Sequence, residues 1–65
     1  MNQPIRQSAA IDVNEAAVLL GIRPSTVRKY VLEKRIPYYK IGSRVVFDSE
    51  ELLNWRSKHH VEEAT

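Results

Sequence analysis

The apolar residues that follow position 10 recur at the spacing of a helix. Four of them fall at positions i, i+3, i+4 and i+7 and therefore share one stripe: Val13, Ala16, Ala17 and Leu20. Asp12 precedes the stripe and Glu15 lies three residues later, which is the spacing of a capping box. Gly21 is suited to the left-handed conformation that ends a helix. The pattern predicts a short helix that begins after Asp12 and ends at Gly21.

A second helix is predicted after a short connection. Pro24 suits the first helical position, because its missing N–H would have no partner there. The helix is expected to run from Pro24 to about Lys34. Its apolar stripe consists of three residues: Val27, Tyr30 and Val31. The connection, residues 21–23, has the length of the turn in a helix-turn-helix.

The segment from residue 38 to residue 47 is rich in aromatic and β-branched residues around Gly42-Ser43, which predicts a β-hairpin. A two-residue Gly-Ser loop suits a type II′ turn, but it would place Ile41 and Val45 on opposite faces. A three-residue loop, residues 42–44, places four apolar residues on one face of the hairpin and Lys40 on the other. The four apolar residues are Tyr39, Ile41, Val45 and Phe47. This apolar face favours the three-residue loop.

A third helix is predicted directly after the hairpin. Asp48 is suited to the N-cap, and Glu51 completes a second capping-box pattern. The expected buried side consists of Leu52, Leu53 and Trp55, and the helix should fray near Lys58. The fold class is therefore mainly α with a small β-hairpin, a winged helix-turn-helix over residues 11–58. Residues 1–10 are interpreted as a flexible arm and residues 59–65 as a flexible tail.

Composition limits the functions that this chain can perform. Its 65 residues can build one small core, which disfavours an enzyme with a deep cavity. The absence of cysteine excludes disulfides and thiolate metal sites. No apolar run reaches the length of a membrane span or a signal peptide, so we expect a cytoplasmic protein without a membrane partner.

Charge is distributed unevenly along the chain. Between Arg23 and Val46 there are seven basic residues and one acid, Glu33, although the whole chain has a net charge of only +2. Five acidic residues follow this block, beginning with Asp48. A basic block of this kind is typical of a nucleic-acid-binding surface. A solvated surface is the alternative explanation.

The candidate DNA contacts lie on the second helix and on the hairpin. A helix that enters the major groove needs small polar and basic side chains on its outer face, and the hairpin tip can follow the phosphate backbone and lower an Arg into the minor groove. The predicted DNA-binding residues are Arg23, Ser25, Thr26, Arg28, Lys29, Lys40, Ser43 and Arg44. Charges on an exposed hairpin also prevent aggregation, which is the structural alternative for the tip.

Other candidate chemistry is weak. The spacing of four aromatic residues favours positions in the core over base stacking. These residues are Tyr30, Tyr39, Phe47 and Trp55. The position of Tyr38 stays open. His59 and His60 are adjacent and would diverge on a helix, so they make a poor metal site. No pair of nucleophile and base is recognisable. We therefore expect neither catalysis nor a cofactor.

Four pieces of the chain between residues 11 and 55 also carry a resemblance. They are "IDVNEAAVLLGI", "STVRKYV", "RIPYYKIGSRVVF" and "DSEELLNW". Together they resemble the excisionase family of MerR-like winged helix-turn-helix DNA-binding domains. The resemblance implies a bacterial, phage or mobile-element protein that binds DNA through the second helix and the wing. Arg23 stands where relatives often have Ser, so the second helix is expected to lack a side-chain N-cap, and Val46 replaces a basic wing residue of many relatives.

The resemblance further implies an architectural role. Excisionases of this kind bind side by side near an attachment site, bend DNA and redirect an integrase toward excision. The implied partners are double-stranded DNA, an integrase or recombinase, and further copies of the chain on DNA. The same fold also serves as a small transcriptional regulator and as the DNA-binding part of phage terminase small subunits. A different class remains open, a basic protein-interaction module that docks on a recombinase or another acidic partner.

Overall fold

The structure is a computed structural model that describes residues 9–61. Three helices and a small antiparallel sheet form a winged helix-turn-helix, which confirms the predicted fold class. The elements are β1 (Ala10–Ile11), α1 (Val13–Leu20), α2 (Pro24–Leu32), β2 (Tyr39–Ile41), β3 (Arg44–Asp48) and α3 (Ser49–Ser57).

The ends of α1 follow the local sequence signals. The Asp12 carboxylate accepts from the Glu15 backbone N–H at 2.8 Å, and the Glu15 carboxylate accepts from the Asp12 N–H at 2.9 Å. The predicted capping box is therefore confirmed. Gly21 has φ 73°, and it donates its N–H to the Val18 carbonyl while the Ile22 N–H donates to the Ala17 carbonyl. These two bonds satisfy carbonyls at the helix end.

Helix α2 ends two residues before the predicted limit. Lys34 adopts φ 56°, and its N–H donates to the Val31 carbonyl while the Arg35 N–H donates to the Tyr30 carbonyl. This is the same termination motif that a glycine provides in α1. At the other end, Arg23 makes no side-chain capping bond and Pro24 occupies the first helical turn, as expected. A non-glycine residue in the left-handed region gave no sequence signal, which explains the error at the end of α2.

The sheet has three strands in the order β1-β3-β2, where only a hairpin was predicted. Ala10 pairs with Asp48 and Ile11 pairs with Phe47. Ala9 extends this contact, because its carbonyl accepts from the Ser49 N–H and its N–H donates to the Ser49 hydroxyl. The last two residues of the predicted arm are therefore attached to the sheet. Residues 1–8 of that arm and residues 62–65 of the predicted tail lie outside the described residues.

The predicted hairpin register is wrong. Ile41 pairs with Arg44, which leaves the two-residue loop Gly42-Ser43. Gly42 has φ 62°, the positive value that a type II′ turn requires at its first central residue. Such a turn matches the twist of the strands, and this local geometry prevails over the count of apolar residues on one face. Because directly paired residues share a face, Ile41 and Arg44 lie on one face of the hairpin, together with Tyr39 and Val46.

The opposite face of the hairpin supplies the core. Phe47 is fully buried and Val45 packs against the core, whereas Tyr39 and Ile41 are 46% and 66% exposed. Tyr38, which the sequence left open, packs against the core instead of Tyr39. The prediction placed Tyr39 and Ile41 on the core face together with Val45 and Phe47, but the observed register puts Tyr39 and Ile41 on the opposite face.

The core lies where the three helices meet β3. Its buried residues are Ala16, Ala17, Val27, Ile36, Phe47 and Leu52. Tyr30 and Trp55 meet edge to face with ring centroids 6.0 Å apart, and Trp55 donates its indole N–H to the Arg35 carbonyl. Both rings pack against this core, as predicted. Leu53, predicted to be buried, is 39% exposed.

Helix α3 begins at the predicted place with a different cap. The Asp48 carboxylate accepts from the N–H groups of Glu50 and Glu51. The Glu51 carboxylate, which was expected to reach back to the backbone, accepts the Tyr39 hydroxyl at 2.9 and 3.0 Å. The helix ends at Ser57, and Lys58 is its C-cap, as expected.

Candidate nucleic-acid interface

Helix α2 presents a polar face opposite its core side. At 100° per residue, Ser25, Lys29 and Leu32 lie on the side opposite Val27, and all three are exposed. Arg28 is also exposed and lies on the flank of this face that borders the hairpin. Thr26 is half-buried on the other flank. The predicted helix contacts therefore divide into an outer face of Ser25, Arg28 and Lys29, and a less accessible Thr26.

The beginning of α2 offers fewer backbone donors than the sequence suggested. Pro24 has no N–H, and the N–H groups of Thr26 and Val27 both donate to the Arg23 carbonyl. The first turn thus retains the Ser25 N–H as its backbone donor toward a phosphate. Arg23 itself is exposed at the N-cap position, beside this donor.

The hairpin tip projects from the body of the domain. Every residue from Tyr39 to Arg44 is exposed. Lys40 pairs with Val45 and shares its face, the face that turns toward α2. Arg44 lies on the opposite face, and Ser43 is in the turn between the strands. The predicted wing residues therefore point in two directions, with Lys40 on the side of α2 and Arg44 on the outer side.

A groove separates α2 from the hairpin. It is lined by Val13, Arg28, Val31, Leu32 and Val45. Leu32 is 83% exposed at the end of α2, on the edge of this groove. Sequence reasoning missed the groove because it arises from three elements, and only the separate apolar stripes of those elements are visible in the sequence. The groove brings Arg28 close to the Lys40 face of the hairpin.

The charges on this surface are available to a ligand. Within residues 9–61, the side chains of Arg28, Lys29, Lys40 and Arg44 make no ion pair or hydrogen bond. Arg35, in contrast, pairs with Glu33 at 3.1 Å and lies 5.0 Å from the Tyr30 ring centroid. Unpaired cations therefore lie both on the outer side of α2 and on the hairpin.

Acidic side chains lie at the other end of the sheet. Asp48, Glu50 and Glu51 surround the beginning of α3. The hydrogen bond to the Glu51 carboxylate, followed by desolvation and by the negative charges of Glu51 and Asp48, raises the pKa of the Tyr39 hydroxyl above its usual range. Tyr39 therefore holds its proton and anchors β2 to α3 through this bond.

The end of the described chain packs back on α3. His59 lies against Trp55 with ring centroids 4.3 Å apart, and its Nδ1 is 2.9 Å from the Trp55 carbonyl oxygen. Within residues 9–61, no group of three or more His, Cys, Asp or Glu side chains is arranged to hold a metal ion. In the same residues, no helix combines the length and apolar character needed to cross a membrane.

A helix-turn-helix whose second helix is followed by a basic hairpin defines the class of winged helix-turn-helix DNA-binding domains. The family model described as a helix-turn-helix domain matches residues 11–60, and the chain belongs to this family. Comparisons with the curated proteins and with the solved structures found no match. The class and the family agree on DNA binding as the function of the domain.

Proposed function

We propose that this chain reads a specific duplex sequence, with α2 in the major groove and the hairpin over the adjacent minor groove. One observation carries the proposal. Unpaired cations lie on both of the elements that flank one groove, Arg28 and Lys29 on α2 and Lys40 on the hairpin. A major groove is wide enough for one helix, and the phosphate strand beside it then passes over the gap between α2 and the hairpin.

The residues have separate roles in this arrangement. Arg28 and Lys29 reach base edges, because they project from a helix that is packed on the core. Ser25 and Arg23 bind a phosphate at the N-terminus of α2. Lys40, Ser43 and Arg44 hold the backbone and the minor groove on the hairpin side. The activity is binding without catalysis.

The biological role that we propose is an excisionase-like architectural factor in the site-specific recombination of a mobile element. The resemblance of residues 11–55 to that family supports this role. A small transcriptional regulator would use the same contacts, and the two roles differ in the position of the bound site. Bound sites beside a recombination attachment site support the first role, whereas sites that overlap a promoter support the second.

The test is selection from a random duplex library, followed by fluorescence anisotropy on the enriched duplex and on a scrambled duplex at two salt concentrations. A specific reader is expected to bind the enriched sequence about a thousandfold or more tightly than the scrambled one. Equal and steeply salt-dependent binding of both duplexes contradicts sequence reading. That result would favour the other class, a basic module that docks on an acidic protein such as a recombinase.

A further inference from the structure

Ile41 is an exposed apolar side chain on the outer face of the hairpin. It is 66% exposed, and it ends β2 immediately before the turn. Its strand neighbours Tyr39 and Lys40 and the turn residues that follow are exposed as well. Ile41 therefore contributes little to the core, and it lies beside the turn of a basic hairpin.

The partner of Ile41 across the hairpin is Arg44. The two residues pair directly and share the outer face of the tip. Within residues 9–61, the Arg44 side chain has no ion pair and no hydrogen bond. Gly42, beside them, has no side chain, and nothing lies within 4 Å of the position that a Cβ would occupy. The tip is thus a narrow projection that carries one apolar side chain next to one free cation.

Contacts with the rest of the domain hold both strands of the hairpin in place. The Tyr39 hydroxyl, two residues before Ile41 on the same face, donates to both oxygens of the Glu51 carboxylate. Phe47 anchors the other strand in the core. Ile41 itself is β-branched and therefore stiff at χ1. These features suit a side chain that must push into another molecule and keep its position.

We propose that Ile41 is a wedge that enters the minor groove and partly unstacks one base step, while Arg44 binds the groove beside it. This inference rests on the proposed function. Apolar side chains inserted between base steps kink a duplex by about 20–90° toward the major groove. The kink bends the DNA around the domain and allows both α2 and the hairpin to contact it.

The wedge adds specificity at a step whose base edges are not read. Pyrimidine–purine steps unstack most easily, so the selected duplexes should carry such a step under the hairpin tip. Replacing that step with part of an A-tract, which is stiff, should weaken binding although every contact of α2 is retained.

The test uses the duplex selected by the full chain, with 2-aminopurine placed in turn at each position across the footprint of the hairpin. The parent protein is expected to raise the fluorescence at one step, and Ile41→Ala is expected to abolish the rise. Affinity should fall about three- to tenfold, since the lost apolar contact is partly offset by the stacking that the DNA keeps. Ile41→Leu should restore most of the signal, because it keeps the apolar bulk.

Val18→Ala is the matched control, because Val18 is 83% exposed and β-branched but lies on α1. It should leave the fluorescence rise unchanged. Amide NMR spectra check that the hairpin of Ile41→Ala stays folded.

A selected duplex that is bound without a fluorescence change at any position overturns the wedge, and so does an Ile41→Ala protein that unstacks the step like the parent. If Ile41→Ala changes only self-association, the tip is a protein interface and the wedge is wrong. If no duplex is enriched, the proposed function fails with it.

Discussion

Helix α2 and the hairpin together form one basic surface, but they are attached to the domain in different ways. Val27 of α2 is fully buried, and Tyr30 and Val31 pack beside it along the length of the helix. The hairpin is attached at its base, where Val45 and Phe47 face the core. Its tip, residues 40–44, is exposed throughout. One surface therefore combines a helix held along its whole length with a projection held at one end.

This difference separates stability from binding. Core packing fixes the backbone of α2, so its outward side chains project from a rigid element, which is what base readout requires. Side chains at the hairpin tip contribute little to the core, so they are free to serve the ligand. Changes at the base of the hairpin should therefore unfold the domain, whereas changes at its tip should alter binding alone.

The largest effect is expected at the base of the hairpin. Phe47→Ala removes a fully buried ring and should lower the free energy of unfolding by about 3–5 kcal/mol, which is most of the stability of a domain of this size. Ile41→Ala, on the opposite face of the same hairpin, should change it by less than about 0.5 kcal/mol. Urea denaturation followed by circular dichroism measures both values.

If Phe47→Ala does not fold, Phe47→Leu keeps most of the apolar volume and should lose about 1 kcal/mol. Equal losses for the Phe47 and Ile41 variants would mean that the two faces of the hairpin are assigned incorrectly.

The next effect concerns base reading by α2. Arg28→Ala should cost about 1–3 kcal/mol of binding to the selected duplex and should relax the preference at one base pair. Anisotropy on a set of duplexes that differ at single positions measures both effects. Lys58→Ala is the matched control, because Lys58 is an exposed cation at the end of α3. An Arg28→Ala protein with parental affinity and preference would remove α2 from the role of reader.

A smaller and opposite effect is expected at the end of α2. Lys34 adopts the left-handed conformation, which costs an L-residue about 1–2 kcal/mol and glycine almost nothing. Lys34→Gly should therefore raise the free energy of unfolding by about 1 kcal/mol. Lys34→Ala removes the same charge and keeps the backbone cost, so it should give no gain. Thermal unfolding of the two variants compares them, and equal stabilities would show that charge is the cause.

The smallest effect is expected for the hairpin cation beside the groove. Lys40→Ala should weaken binding to all duplexes about equally and should lower the slope of log K against log salt by about 1. Titrations of the selected and the scrambled duplex at several salt concentrations measure this slope. A loss confined to the selected duplex would mean that Lys40 reads bases, and the proposed division between α2 and the hairpin would not hold.

Part of the interface was predictable because α2 is a local structure. The signals of this helix all lie within a dozen residues: Pro24 at its start, its apolar stripe and the basic positions between. From them, the sequence predicted Arg28 and Lys29 on an exposed face. The hairpin was harder to predict. Its charged residues were evident, but the register decided that Lys40 faces α2 and that Arg44 faces outward beside Ile41. Leu32 was overlooked, because it lies outside the apolar stripe of α2 and only the assembled structure shows that it borders the groove.

The sequence by itself determined the helices, the turn between the first two and the basic block that follows. Capping at Asp12 and Asp48 and termination at Gly21 act over three or four residues, so they need no knowledge of the fold. The tertiary structure alone decided the strand at Ala10–Ile11, the exchange of Tyr38 for Tyr39 in the core and the groove between α2 and the hairpin. These features depend on pairing and packing between residues that are distant in the chain, and such contacts form only when the whole domain folds.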